Sequence, residues 1–157
     1  MKTHHYNATI NWTGNLGTGT ENYKTYKRDY SINIDGKTEG ILGSSDPSFL
    51  GDATKYNPEE LLLASVSSCH MLWYLHLCAS NNIVVSSYKD LATGIMEEIE
   101  NGSGKFTSIE LNPKIRISTK ADLKLAELLH EKANSMCFIA NSLNFKVTHK
   151  AIISVEN

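Results

Sequence analysis

The sequence predicts an α+β domain of order βββ-α-ββ-α-β, with antiparallel sheet around a central buried helix. Three observations carry this. Residues 56–80, YNPEELLLASVSSCHMLWYLHLCAS, open like a capped helix and stay apolar almost without a break. Residues 121–143 return to helical period, and the remaining segments alternate at period two between turns rich in Gly, Asn and Asp.

Taken in order, residues 4–13 alternate as a first strand, and GNLGTGTEN at 14–22 supplies a Gly-rich turn. Residues 23–34, rich in Tyr, Thr and Ile, predict a second strand. Asp35-Gly36 is a hairpin signal leading into a third. A loop rich in turn formers covers 43–56. Asn57 is a good N-cap, Pro58 suits the first helical position, and Glu60 is placed to reach back to the cap. Glu59 and Glu60 also complement the positive end of the helix dipole. From Leu61 to Ala79 apolar and small residues occupy nearly every face, the pattern of a helix buried all round. SNN at 80–82 ends it. Two strands follow, at 83–99 and 106–118, joined by the turn ENGSGK. Thr119 is the expected cap of the second helix, and residues 145–155 alternate as a final strand.

A chain of 157 residues with 41% hydrophobic and 20% charged residues suits one globular domain over 1–157. A net charge of −2 without any basic block argues against nucleic acid and anionic membrane as partners. Ser67, Ser68, His70 and His76 interrupt the best apolar run short of the roughly 18 residues of a membrane span. The first twelve residues lack the apolar core of a secretory leader, so the expected compartment is the cytoplasm.

Cysteine occurs three times, at 69, 78 and 137, an odd, low number unlike a secreted disulfide framework. On a helix, Cys78 lies about 180° and ~13 Å from Cys69, so those two cannot pair and Cys78 reads as a core filler. No Cys/His pair on this helix has i,i+3 or i,i+4 spacing, so no metal site is expected, and His70 and His76 read as packing residues. Two helices on a small sheet usually pack together, which leaves open that Cys69 faces Cys137. Burial alone would make Cys69 inert; reactivity needs a positive neighbour. Of the two arginines, both on predicted strands, Arg28 in the early meander is the better candidate.

NPEELLLASVSSC, with a second cysteine in ANSMCFIANSL 68 residues on, closely resembles the OsmC/Ohr family in its OsmC-like branch. The order of strands and helices over essentially the whole chain fits as well. The resemblance implies an OsmC-like fold and an intertwined homodimer with active sites at the interface. It implies a cysteine-based peroxidase that reduces organic hydroperoxides in oxidative stress defence. Cys69 would be the peroxidatic thiol and Cys137 the resolving thiol. Glu59 would be the motif glutamate and Arg28 the activating arginine. The implied reductant is an external dithiol, such as a dihydrolipoyl group on a partner protein, and no metal or organic cofactor is required. Two positions depart from the better-known members: His70 and Phe138 follow the two cysteines. On an unbroken helix Glu59 lies ~15 Å from Cys69, so it would act through a helix break or from a second subunit. The alternatives are a dimeric module binding a hydrophobic ligand, with the cysteines as inert core, or a thiol redox sensor.

Overall fold

The structure, a computed structural model, describes residues 1–119 and 121–156. The chain divides into two compact units, Met1–Leu61 and Leu62–Asn157.

The N-terminal unit holds the predicted meander: β1 (Thr9–Trp12), β2 (Tyr30–Asn33) and β3 (Ile41–Gly43), paired antiparallel in that order. Its strands are shorter than expected because residues 13–29 form a tied loop. Thr13 N–H donates to Asp29 O (2.8 Å), Lys27 N–H to Gly14 O (2.9 Å), and the Trp12 indole N–H to Lys27 O (2.8 Å). A Cβ at Gly14 would lie 1.8 Å from Lys27 O, so this crossing requires glycine. Arg28 therefore stands on the loop before β2, not on a strand. Asp35-Gly36 does turn the chain, with Gly36 at φ +80° and Lys37 N–H donating to Ile34 O (3.1 Å).

Helix α1 (Pro58–Ser80) begins and ends by local chemistry. Asn57 Oδ1 accepts from Glu60 N–H (2.8 Å) while Glu60 Oε2 accepts from Asn57 N–H (3.1 Å), a reciprocal capping box. At the other end Asn82 is left-handed (φ 58°); Ile83 N–H donates to Cys78 O (2.9 Å) and Asn82 N–H to Ala79 O (3.2 Å). This is a Schellman ending, and Ile83 and Cys78 meet in the core as that motif favours. The expected all-round burial is not found within the chain: only the stripe Val66, His70, Tyr74 and Cys78 is buried. By length and mean hydropathy (1.4) α1 would pass as a membrane-crossing helix, against the run-length expectation. His70 and Ser67, however, make polar contacts with α2 (Leu123–Met136) and with Asp90, as a helix packed inside a protein does.

In the C-terminal unit each of the three long predicted strands breaks once. Residues 83–99 give β4 (Val85–Asp90) and β5 (Thr93–Glu98); 106–118 lie within β6 (Gly104–Leu111) and β7 (Pro113–Ile117); 145–155 give β8 (Val147–His149) and β9 (Ile152–Val155). The halves sort into two sheets, β4-β7-β9 and β5-β6-β8. Neighbours are antiparallel for β4/β7 and β5/β6, as expected, but the last segment runs parallel (Ile109↔Val147, Lys114↔Ile152) because α2 carries the chain back across the sheet.

The corner has a specific cause. Pro113 lacks an N–H, and the residue before it is held extended. Asp90 Oδ1 takes the Asn112 N–H (2.7 Å), while Asp90 Oδ2 accepts from the Ser67 hydroxyl of α1 (2.5 Å). One carboxylate thus joins the strand corner to the helix.

Helix α2 is capped by Asp122, whose carboxylate accepts from Leu125 N–H (3.0 Å); Thr119 is not the cap. It stops at Met136 rather than running on to 143. Apolar packing forms two clusters: Tyr74, Cys78, Ile115, Ile117, Ala126 and Leu129 in one, Val66, Ile109, Leu111 and Val147 in the other.

Replacing Asp90 by alanine leaves the Asn112 N–H and the Ser67 hydroxyl without an acceptor. The expected loss is about 2 kcal/mol of unfolding free energy in urea titration, against under 0.5 kcal/mol for the exposed Lys89→Ala.

Candidate thiol site

Two adjoining faces of α1 build this site. The buried stripe at 66, 70, 74 and 78 packs inward. Beside it Ser65, Ser68, Cys69, Leu72, Trp73 and His76, all at helical spacings of three and four, line one wall of a pocket of about 540 Å³. Phe138 and Ile139, just beyond the end of α2, line the other wall. Trp73 meets both His76 (ring centroids 5.8 Å) and Phe138 (5.6 Å) edge to face. The lining is mostly apolar, and Cys69 is half-buried within it.

Cys137 is fully buried as the C-cap of α2, with extended backbone (φ −67°, ψ 110°) that turns its side chain off the helix. Ala140 N–H donates to its Sγ (3.4 Å), and Sγ lies 4.0 Å from Val66 O. The Cys137 thiol also neighbours Cys69. Burial first, and then the Cys69 side chain, push Cys137 up to about 11. Cys137 therefore holds its proton at neutral pH, with Val66 O as its acceptor. All three thiols are free; Cys78 is buried nine residues from Cys69 and pushed up by burial.

The structure thus brings together Cys69 and Cys137, 68 residues apart in the chain. Arg28 and Glu59 are placed within the N-terminal unit. The Arg28 guanidinium lies over the rings of Tyr23 (4.2 Å) and Tyr26 (4.3 Å) and donates to Tyr26 O (2.6 Å) and Tyr23 O (2.5 Å). Glu59 stands in the first turn of α1, where its charge helps burial hold the Tyr30 hydroxyl above its ordinary range. Among the described residues no ion pair joins Arg28 to Glu59. Helix α1 is unbroken between Glu59 and Cys69.

Sequence reasoning passed over a polar seam behind the thiols. His70 Nε2 and His130 Nδ1 lie 3.1 Å apart, with rings stacked at 5.4 Å between centroids, and Tyr74 stacks on His130 at 3.8 Å. His149 approaches both, with ring centroids 5.5 Å from His70 and 5.7 Å from His130. Burial, and then the other histidines, lower His70 to about 4 and His130 to about 3. The available signal was a histidine on each inward helical stripe, His70 between Val66 and Tyr74, His130 beside Leu129 and Ala133. Among the described residues no cluster of three His, Cys, Asp or Glu has the geometry to hold a metal ion.

A sequence profile of the family described as OsmC-like protein matches residues 51–151. An OsmC-like protein of unknown function from Vibrio cholerae is 32% identical, with a TM-score of 0.84 over 96% of this chain and 100% of that one. Two organic hydroperoxide resistance proteins share the fold at lower identity. The protein from Elizabethkingia anophelis is 21% identical (TM-score 0.70, covering 99% of this chain and 100% of that one). The protein from Bacillus subtilis is 18% identical (TM-score 0.63, covering 94% and 98%). No curated protein sequence matches significantly.

Two measurements check the site. A thiol held at about 11 is roughly one part in a thousand ionised at pH 8. Iodoacetamide at pH 8 should label Cys69 at least tenfold faster than Cys137 or Cys78, read by peptide mass spectrometry; equal labelling would contradict the geometry. The seam sets a pH dependence of stability. Unfolded histidines bind protons near pH 6.5, the folded pair only near 4 and below, so the unfolded chain holds more protons in between. Stability is therefore fully present above pH 6.5 and falls, by on the order of 3 kcal/mol for each histidine, as pH drops toward 4.

Proposed function

Since this chain belongs to the OsmC-like protein family, we propose that it is a thiol-dependent peroxidase reducing organic hydroperoxides, with Cys69 as the attacking thiol and Cys137 as the resolving thiol. The observation that carries this reading is a half-buried Cys69 in an apolar pocket, beside a buried, protonated Cys137.

The chemistry closes on these two residues. The Cys69 thiolate attacks the terminal peroxide oxygen; an S–O bond forms, the O–O bond breaks, and the alkoxide leaves as alcohol after taking a proton. Cys137 then attacks the sulfenic sulfur. The S–S bond forms as hydroxide departs, and the proton that burial kept on Cys137 completes the water. An external dithiol, such as a dihydrolipoyl group on a partner protein, restores both thiols and is itself oxidised to its disulfide. Intramolecular capture also protects Cys69 from irreversible over-oxidation. No metal or organic cofactor enters the cycle.

The pocket wall favours a carbon-bearing substrate. Leu72, Trp73, Phe138 and Ile139 offer apolar surface to an alkyl or aryl group, which hydrogen peroxide lacks. From the family resemblance, Arg28 is assigned the activating charge and Glu59 its carboxylate partner, since a guanidinium stabilises thiolate and developing alkoxide alike. A homodimer is proposed on the exposed apolar face at the pocket mouth, where the lining residues Leu72 and Phe138 are 62% and 69% exposed. The cycle needs a compartment that keeps thiols reduced between turnovers, and the cytoplasm is the proposed one.

The test is peroxide consumption with dihydrolipoamide as reductant. Cumene hydroperoxide should exceed hydrogen peroxide at least tenfold in kcat/KM. Cys69→Ser should abolish turnover, and Cys137→Ser should consume about one equivalent and stop. Absence of turnover, with both thiols still reduced after peroxide treatment, would overturn the reading.

A further inference from the structure

The same two helices that carry the thiols are joined behind them by one buried polar contact. His70 follows Cys69 on α1; His130 precedes Cys137 by seven residues on α2, two helical turns or ~10 Å. His70 Nε2 and His130 Nδ1 are 3.1 Å apart, and both residues are 1% exposed. Tyr74, one turn beyond His70, stacks on His130 at an interplanar angle of 12°, so two successive inward residues of α1 engage one ring of α2. Among the described residues the other nitrogen of each ring, His70 Nδ1 and His130 Nε2, has no protein partner, which leaves the His70–His130 bond as the polar anchor of both side chains there.

We propose that the neutral His70–His130 pair positions Cys69 and Cys137 by clamping α1 to α2, and that acid releases this clamp and weakens disulfide closure. Two neutral imidazoles form one N–H···N bond, one ring donating and the other accepting. Doubly protonated rings have no acceptor, and two like charges then face each other in an apolar seam. The groups facing the pair do little to offset this. From α1 they are Tyr74 and Cys78, from β4 Tyr88, which meets Tyr74, and from β8 His149, a third imidazole. Glu131, next to His130 on α2, is exposed and pairs with His149 (3.5 Å) rather than with the clamp. Spreading of the helices would reach the thiols directly, because Cys137 Sγ also rests near Val66 O one turn before His70.

This inference rests on the Cys69–Cys137 disulfide of the proposed cycle, not on its peroxide step. The experiment therefore uses no peroxide. The purified full chain is equilibrated from both directions with reduced and oxidised glutathione and a catalytic diselenide, between pH 7 and pH 4. Two protein thiols and one glutathione disulfide give one protein disulfide and two glutathione thiols. No net proton is exchanged while the thiols are protonated, so any pH dependence reports their positioning. The effective concentration of the thiol pair should fall at least tenfold between pH 6.5 and pH 4 in the wild-type chain. In the His70→Gln/His130→Asn double variant the side-chain amides keep an uncharged hydrogen bond, and the value should stay within twofold. A flat wild-type profile, or a parallel fall in the variant, overturns the clamp. If the variant does not fold, ¹⁵N spectra of the wild-type imidazoles decide: the fall must track ring protonation, and a fall that precedes it overturns the clamp as well. A Cys69–Cys137 disulfide that forms normally in this buffer, in a protein without turnover in the separate peroxide assay, would count against the peroxidase reading alone.

Discussion

Everything in the C-terminal unit depends on which stripe of α1 faces inward. Val66, His70, Tyr74 and Cys78 follow one another at intervals of four and reach three sets of partners: β6 and β8 at Val66, α2 at His70 and Tyr74, β7 and Ile83 at Cys78. A fully buried aromatic or aliphatic side chain is worth roughly 2 kcal/mol, so rotating the helix by one residue would forfeit several of these at once. With that rotation set, Cys69 falls about 100° from His70, beside the core and not in it. A thiol one position later, in place of His70, would be buried in the core.

The broken strands serve the same end. Unbroken ribbons of eleven to seventeen residues would make one long, strongly twisted sheet. The corner at Asp90, Asn112 and Pro113 instead yields two three-stranded sheets. Val66 packs with residues of one and Cys78 with residues of the other, so a single helix is served by both. Ser67 ties the same corner to the helix two residues before Cys69, which limits how far the thiol can drift.

Electrostatically the two cysteines are set apart by burial. Cys137 lies in a dry environment that keeps it protonated, while Cys69 opens to the pocket. This asymmetry suits a pair in which one sulfur meets an outside reagent and the other waits. Burial acts on the histidine seam in the same sense, holding both rings neutral where a charge would have no counterion.

The features legible in the sequence are those decided within a few residues. The Asn57–Glu60 box, the stop after Ser80, the turn at Gly36 and the presence of α1 and α2 follow from local hydrogen bonding and periodicity, which neighbouring residues suffice to specify; which stripe of α1 is buried does not. The OsmC-like motif around Cys69 was legible in the same way. Local pattern misjudged Thr119 as a cap because Asp122 competes with it, and it read each broken strand as one because alternation continues through a corner. The parallel final strand, the Asp90 bond to Ser67, the meeting of His70 with His130 and the contact of Cys69 with Cys137 were decided by the tertiary structure. Each joins residues 23 to 68 positions apart, and the free energy that holds them together comes from burying surfaces that no local stretch of chain contains.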